Sequence, residues 1–159
     1  MDTKTHFFFD LEETLITDWH DPVLTNVQRV REWIKANGVT EAGIFSWAIW
    51  DEKDVNKFNL EMKRWLEDAF GFKVTQVVIK RDAVAIAAKH KGLRFDINDP
   101  LDVADMASIF GKHGIFTEFC FATFQVDCTC VLLDDVVPNR TIFDHNSNLT
   151  VKLVNVTDI

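Results

Sequence analysis

Residues 6–16, His-Phe-Phe-Phe-Asp-Leu-Glu-Glu-Thr-Leu-Ile, constrain the fold more than any other stretch of this chain. A run of apolar or ring side chains (6–9) meets Asp10 at once, then Glu12 and Thr14. A continuous apolar run bounded by polar residues predicts a buried strand, most often a central one in a parallel sheet. Asp10 then falls at the carboxyl end of that strand, where open α/β sheets place their ligands. An Asp that merely caps a turn is the competing explanation, and the rest of the chain decides between them.

Residues 15–25 carry Trp19, His20, Asp21 and Pro22 between short apolar pairs, the pattern of a small hairpin over the end of the first strand. Val27, Val30, Trp33 and Ile34 recur at helical spacing over residues 26–37, and Gly38 ends that helix. Residues 42–50 form a second apolar run interrupted by Ser46. Residues 54–70 read as one helix with Phe58, Met62, Trp65, Leu66 and Phe70 inward, with Trp33 and Trp65 both in the core. A strand over 73–79, an Ala-rich helix over 82–91, a loop over 94–100 and a helix over 101–113 follow. Residues 116–124 fit helix or strand equally. Residues 127–134 are a strand ending in Asp134-Asp135; Pro138 and Asn139 make a turn, and 149–156 alternate as a last strand. Strands separated by helical patterns predict an α/β fold with a mostly parallel central sheet, built as one domain over residues 1–159.

The formal net charge of −8 argues against a general binder of nucleic acid or of anionic membranes, both of which need a basic surface. No apolar stretch reaches membrane-spanning length, and nothing resembles a signal peptide, so a cytoplasmic location is expected. Three cysteines suit a reducing compartment; Cys128 and Cys130 share one face of a strand but lack the further ligands of a zinc site. Asn139, Asn148 and Asn155 each open an Asn-x-Thr triplet, a chance match in a chain that is not secreted.

Three apolar strands thus end in Asp10, Ser46 and Asp134-Asp135, and parallel strands bring such ends to one edge. Converging carboxylates repel one another unless a cation or protons neutralise them. Mg²⁺ suits carboxylates, backbone carbonyls and water. A carboxylate left free can attack phosphorus, and a neighbour can act as general acid and base.

Asp10-Leu-Glu-Glu-Thr-Leu-Ile resembles the first motif of the haloacid dehalogenase-like (HAD) phosphatase superfamily, Asp-x-Asp-x-Thr after an apolar strand. Phe45-Ser46 is similar to its second motif, and Val131-Leu-Leu-Asp-Asp-Val-Val-Pro-Asn139 to its fourth, in the right order over nearly the whole chain. The resemblance implies a three-layer Rossmann-like sandwich without a separate cap domain. It implies a Mg²⁺-dependent phosphohydrolase acting on a phosphate monoester through an aspartyl-phosphate. Asp10 would be the nucleophile and Glu12 the acid/base, with Asp10, the Glu12 backbone carbonyl, Asp134 and Asp135 around the metal. Thr14 would brace the loop and Ser46 would bind a phosphoryl oxygen. The third motif, a lysine that offsets negative charge, is best matched by Lys112 in Gly111-Lys-His-Gly114, with Lys80, Lys89 and Lys91 as rivals.

Two residues depart from the pattern: Glu12 stands where Asp is usual, and Glu13 where small residues, often Gly, are common. His20 and His113 read as surface residues, and Trp19, Trp47 and Trp50 as packing residues that could also line the pocket. The insertions between motifs are too short for a cap, so the expected partner is a phosphorylated small molecule or phosphoprotein, with closure by a loop or a partner subunit. Two other readings stand beside this one: a HAD-fold binding or regulatory protein with weak turnover, and an α/β domain whose acidic strand ends are only turn caps.

Overall fold

The computed structural model describes residues 4–124 and 127–159. Gln125, the far end of the second inter-motif insertion, lies outside them. Among the described residues the chain forms a six-stranded sheet and five helices. In chain order these are β1 (Lys4–Phe9), α1 (Val27–Ala36), β2 (Glu41–Phe45), α2 (Glu52–Glu61), α3 (Lys63–Phe70) and β3 (Lys73–Val78), then α4 (Lys80–His90), α5 (Pro100–Thr123), β4 (Cys128–Asp134), β5 (Arg140–Asp144) and β6 (Leu149–Asn155).

The strand order is β3-β2-β1-β4-β6-β5, parallel throughout except for β5, which runs antiparallel to β6. The chain therefore builds outward from β1 on one side, then returns to the other side of β1 with β4. That reversal makes the carboxyl ends of β1 and β4 the switch point of the sheet, where α/β folds leave a crevice. The apolar run on β1 explains its central place: Phe8 and Phe9 are both buried, and they face opposite sides as strand periodicity requires.

Phe9 joins a core with Ile34, Phe58, Leu66 and Phe70 from α1, α2 and α3. Phe8 joins a second core with Ala83, Ala87, Ile115, Phe116 and Phe119 from α4 and α5. Gly43 on β2 is required by this packing, since a Cβ there would lie 2.7 Å from the Phe8 ring.

Several sequence expectations change. The helix expected over 54–70 is two, α2 and α3, divided at Met62 (φ −123°, ψ −36°); no Gly or Pro announces the break. Trp65 is 37% exposed rather than core, because Met62, Leu66 and Phe70 fall on the inward stripe of α3 and Trp65 stands one position off it. Trp33 is half-buried, edge-on to Phe7 and Phe9. Residues 116–124 resolve largely into helix as the second half of α5. The strand β5 is a further element, a short and largely exposed edge strand that turns Ile142 onto the second core. The excursion over 15–25 is hairpin-like, closed by Thr17 N–H to the Val23 carbonyl (2.8 Å) and Thr25 N–H to the Leu15 carbonyl (3.0 Å).

The three Asn-x-Thr asparagines serve turns. Asn155 Oδ1 accepts from Thr157 N–H (2.9 Å), Asn139 Oδ1 accepts from Asn155 N–H (2.8 Å), and Asn148 has a positive φ in the β5–β6 turn. No helix among the described residues is long and apolar enough to cross a membrane.

Candidate functional site: an acidic cluster around a buried lysine

Parallel pairing sets the geometry of the site. β1 and β4 run in register with Phe9 beside Leu133, and Asp10 N–H donates to the Leu133 carbonyl at 3.0 Å. The next residue on each strand is an aspartate, so Asp10 and Asp134 emerge side by side at the switch point. Asp135 follows, and Asp10, Asp134 and Asp135 each present a carboxylate oxygen within 4.8 Å of the other two. Asp10 and Asp134 are buried and Asp135 is half-buried.

Lys112 reaches into this cluster from α5. Its Nζ lies 2.7 Å from Asp10 Oδ1 and 2.6 Å from Asp134 Oδ2; that second oxygen has no well-aligned hydrogen bond and relies on the ion pair. The lysine side chain is only 9% exposed. Gly111 makes this reach possible. With φ 70° and ψ 166° it breaks α5 just before Lys112, in a backbone region that side-chain-bearing residues avoid. A Cβ there would also press on the His113 ring at 3.2 Å.

The remaining oxygens are held by short-range contacts. Thr14 Oγ1 donates to Asp10 Oδ2 (3.3 Å), and Val136 N–H donates to Asp134 Oδ1 (2.9 Å). Ser46 is buried directly after β2, with its Oγ accepting from Ala48 N–H (3.2 Å). Glu12 is half-buried, and its carboxylate stands apart from the three clustered aspartates: Oε2 accepts Trp19 N–H at 3.1 Å. Lys57 completes that tether, donating to the Trp19 carbonyl (3.2 Å) with its ammonium 4.6 Å from the indole centroid. Glu13 is exposed and adopts φ 61°, which explains in physical terms why a small residue suits that position.

Two positioning residues escaped the sequence reading. Asn26 Nδ2 donates to the carbonyls of Glu13 and Thr14 (both 3.1 Å), and Asn155 Nδ2 donates to those of Asp135 (3.1 Å) and Val137 (2.9 Å). Each pins one of the two acidic loops. The available signal, an Asn just before a helix or at a strand end, is too common to single them out.

Electrostatics follow from burial. Desolvation pushes the Asp10 carboxyl above the ordinary carboxylate range, aided by Asp134 and opposed by Lys112. Asp135 is pushed up to about 7, first by burial, then by hydrogen bonding to Asp134 and the charge of Asp10 and Asp134. Burial alone would lower Lys112, but the carboxylates of Asp10 and Asp134 outweigh it and hold the ammonium above its usual value. When all three acids are ionised, one ammonium leaves two negative charges uncompensated, the deficit that a divalent cation fills.

Of the rival lysines, Lys89 is exposed and Lys91 pairs with Glu118 at 3.2 Å, away from the acidic cluster. Lys80 lies beside the site, its ammonium 4.8 Å from the Trp47 centroid. His20 is exposed and Trp19 buried, while His113, Trp47 and Trp50 are half-buried. A cavity of about 750 Å³ lies elsewhere, lined by Val27, Ile34, Val39 and Phe70. It gathers no metal-ligating set; among the described residues the three aspartates form the only such group. Compared with protein-family models, characterised proteins and solved structures, the chain shows no significant match to any of them.

Proposed function

We propose that this chain is a HAD-like, Mg²⁺-dependent phosphohydrolase that cleaves a phosphate monoester through an aspartyl-phosphate on Asp10. The observation that carries this reading is Lys112: one buried ammonium within 2.7 Å of both Asp10 and Asp134, at the switch point of a mostly parallel sheet. A strand end that only capped a turn would need neither a buried lysine nor a third acid beside it.

The donor set fits the metal. Asp10, Asp134 and Asp135 offer hard oxygen ligands with a two-charge deficit, and the Glu12 carbonyl is the further candidate. Mg²⁺ bound there would neutralise charge on the transferring phosphoryl group. The chain's own residues do the rest. Thr14 fixes Asp10 Oδ2 and Lys112 faces Oδ1, which orients the carboxylate for in-line attack. An Asp10 oxygen forms the new bond to phosphorus as the bond to the leaving oxygen breaks. Glu12 supplies the leaving group's proton and recovers one from the water that hydrolyses the acyl phosphate. With Oε2 held by Trp19 N–H, Oε1 is the oxygen available for that transfer. Ser46 Oγ and Lys112 serve the phosphoryl oxygens.

Replacing Asp10 by Asn removes the nucleophile, and Mg²⁺-dependent hydrolysis of an aryl phosphate is expected to fall by about 10⁴-fold or more. Activity that survives in Asp10→Asn defeats the mechanism. A second reading, a binding or regulatory protein with weak turnover, is favoured by the engagement of Glu12 with the Trp19 backbone. It expects a thermal shift with Mg²⁺ and a phosphate mimic but no hydrolysis across a broad ester panel.

A further inference from the structure

Beside the acidic cluster stands a second lysine, Lys80, whose charge is poorly compensated. Lys80 is half-buried, and it has no carboxylate partner among the described residues. It occupies the first position of α4, where the helix dipole disfavours a cation. Burial and the charge of Lys112 both press its ammonium toward the neutral form. Two indoles supply partial compensation: Nζ lies 4.8 Å from the Trp47 centroid and 5.8 Å from that of Trp50. Trp47 also lies 5.8 Å from Lys112 Nζ, so one ring stands next to both ammoniums.

This arrangement is built rather than incidental. Asp54 Oδ2 accepts Trp50 N–H (2.8 Å) inside a capping box with Asp51, and Lys80 N–H donates to the Ile49 carbonyl (2.7 Å). The loop that carries both indoles is thereby tied to α2 and to α4. An anion at Lys80 would relieve the repulsion from Lys112 and restore the lost solvation together. Because the ammonium lies over the Trp47 and Trp50 rings, that rim offers a cation rather than a bare aromatic platform.

We propose that the substrate carries, besides the phosphate presented to Asp10, a second anionic group, phosphate or carboxylate, that Lys80 receives between Trp47 and Trp50. This rests on the phosphohydrolase reading and narrows it to bis-anionic phosphate monoesters. The test compares matched substrates with Mg²⁺: fructose 6-phosphate against fructose 1,6-bisphosphate, and glycerol 3-phosphate against 3-phosphoglycerate. At least one bis-anionic partner is expected to show a kcat/KM about tenfold higher, the size of one charge-assisted contact. The pair that responds tells phosphate from carboxylate. Lys80→Met is expected to bring that ratio to near one, and Lys80→Arg to keep most of it. A lysine that only covers two indoles predicts a ratio untouched by Lys80→Met, and that result, or wild-type ratios near one in both pairs, overturns the proposal. Should no ester be hydrolysed, the phosphohydrolase reading fails by itself. Tryptophan fluorescence titration with inorganic phosphate and pyrophosphate then decides the anion site: tighter pyrophosphate binding that Lys80→Met abolishes sustains it, and equal binding by both proteins overturns it.

Discussion

Two partly buried ionic clusters draw on α5, and they are built to opposite rules. In one, Glu118 accepts His90 Nδ1 (2.6 Å) and Lys91 Nζ (3.2 Å) from the end of α4; a single acid meets two basic groups that are 40% and 51% exposed. In the other, Lys112 meets three aspartates and is itself 9% exposed. The first cluster leaves no acid in excess: its one carboxylate, 11% exposed, is answered by two basic groups that stay partly in water, and it ties two helices together. The second leaves acid in excess where water is scarce, which no stability argument recommends. That surplus is what the proposed divalent cation would neutralise.

The contrast breaks most sharply on removal of either partner. Lys112→Ala leaves Asp10 and Asp134 buried without a cation and is expected to cost about 3 kcal/mol in a chelator. Glu118→Gln, which frees two partly solvated bases, is expected to cost about 1 kcal/mol. Urea denaturation of both variants measures the difference, and equal costs would erase the distinction. Mg²⁺ is expected to raise the midpoint of Lys112→Ala and leave the deficit of Glu118→Gln unchanged.

Proton linkage sharpens the same point. The folded Asp135 titrates at about 7 against an ordinary value near 3.8, so between these limits the folded chain holds more protons than the unfolded one. Stability should therefore fall as pH rises from about 4 to 7 and level off above that. Asp10, also raised, adds to the decline, whereas the raised Lys112 contributes stability that is lost only as pH climbs through its own high value. Mg²⁺ competes with those protons, so its stabilisation should be small at pH 5 and grow through pH 7. Melting curves with and without Mg²⁺ across this range test it. A Mg²⁺ shift that does not depend on pH would place the ion away from Asp135.

Much of this site was legible because strand ends are legible. An apolar run stopping in Asp10 and another stopping in Asp134 give both the burial of the strands and the edge where they finish, whereas the helix expected over 101–113 runs on to Thr123 and breaks at Gly111, just before Lys112. What stayed hidden depends on neighbours in space. The inward stripe of α3 leaves Trp65 outside, the exposed β5 carries no alternation, and the pinning of two acidic loops by Asn26 and Asn155 is a tertiary fact. Lys80 was visible only as one lysine among several, because its indole neighbours and its lack of a carboxylate partner arise from folding.

Glu13 carries the smallest effect and the finest distinction. Its φ of 61° costs a side-chain-bearing residue about 1 kcal/mol that glycine does not incur, and its carboxylate adds one more charge to the loop that bears Asp10. Glu13→Gly is expected to raise stability by about 0.5–1 kcal/mol. Glu13→Gln keeps the strain and removes only the charge. If the acid surplus of the Lys112 cluster is confined to its desolvated interior, Glu13→Gln should leave the midpoint unchanged even in low salt, since Glu13 is exposed and meets the cluster through water of high dielectric constant. A gain from Gln equal to that from Gly would mean that the excess charge extends through the whole loop, and that the boundary between the two kinds of cluster lies further out than burial suggests.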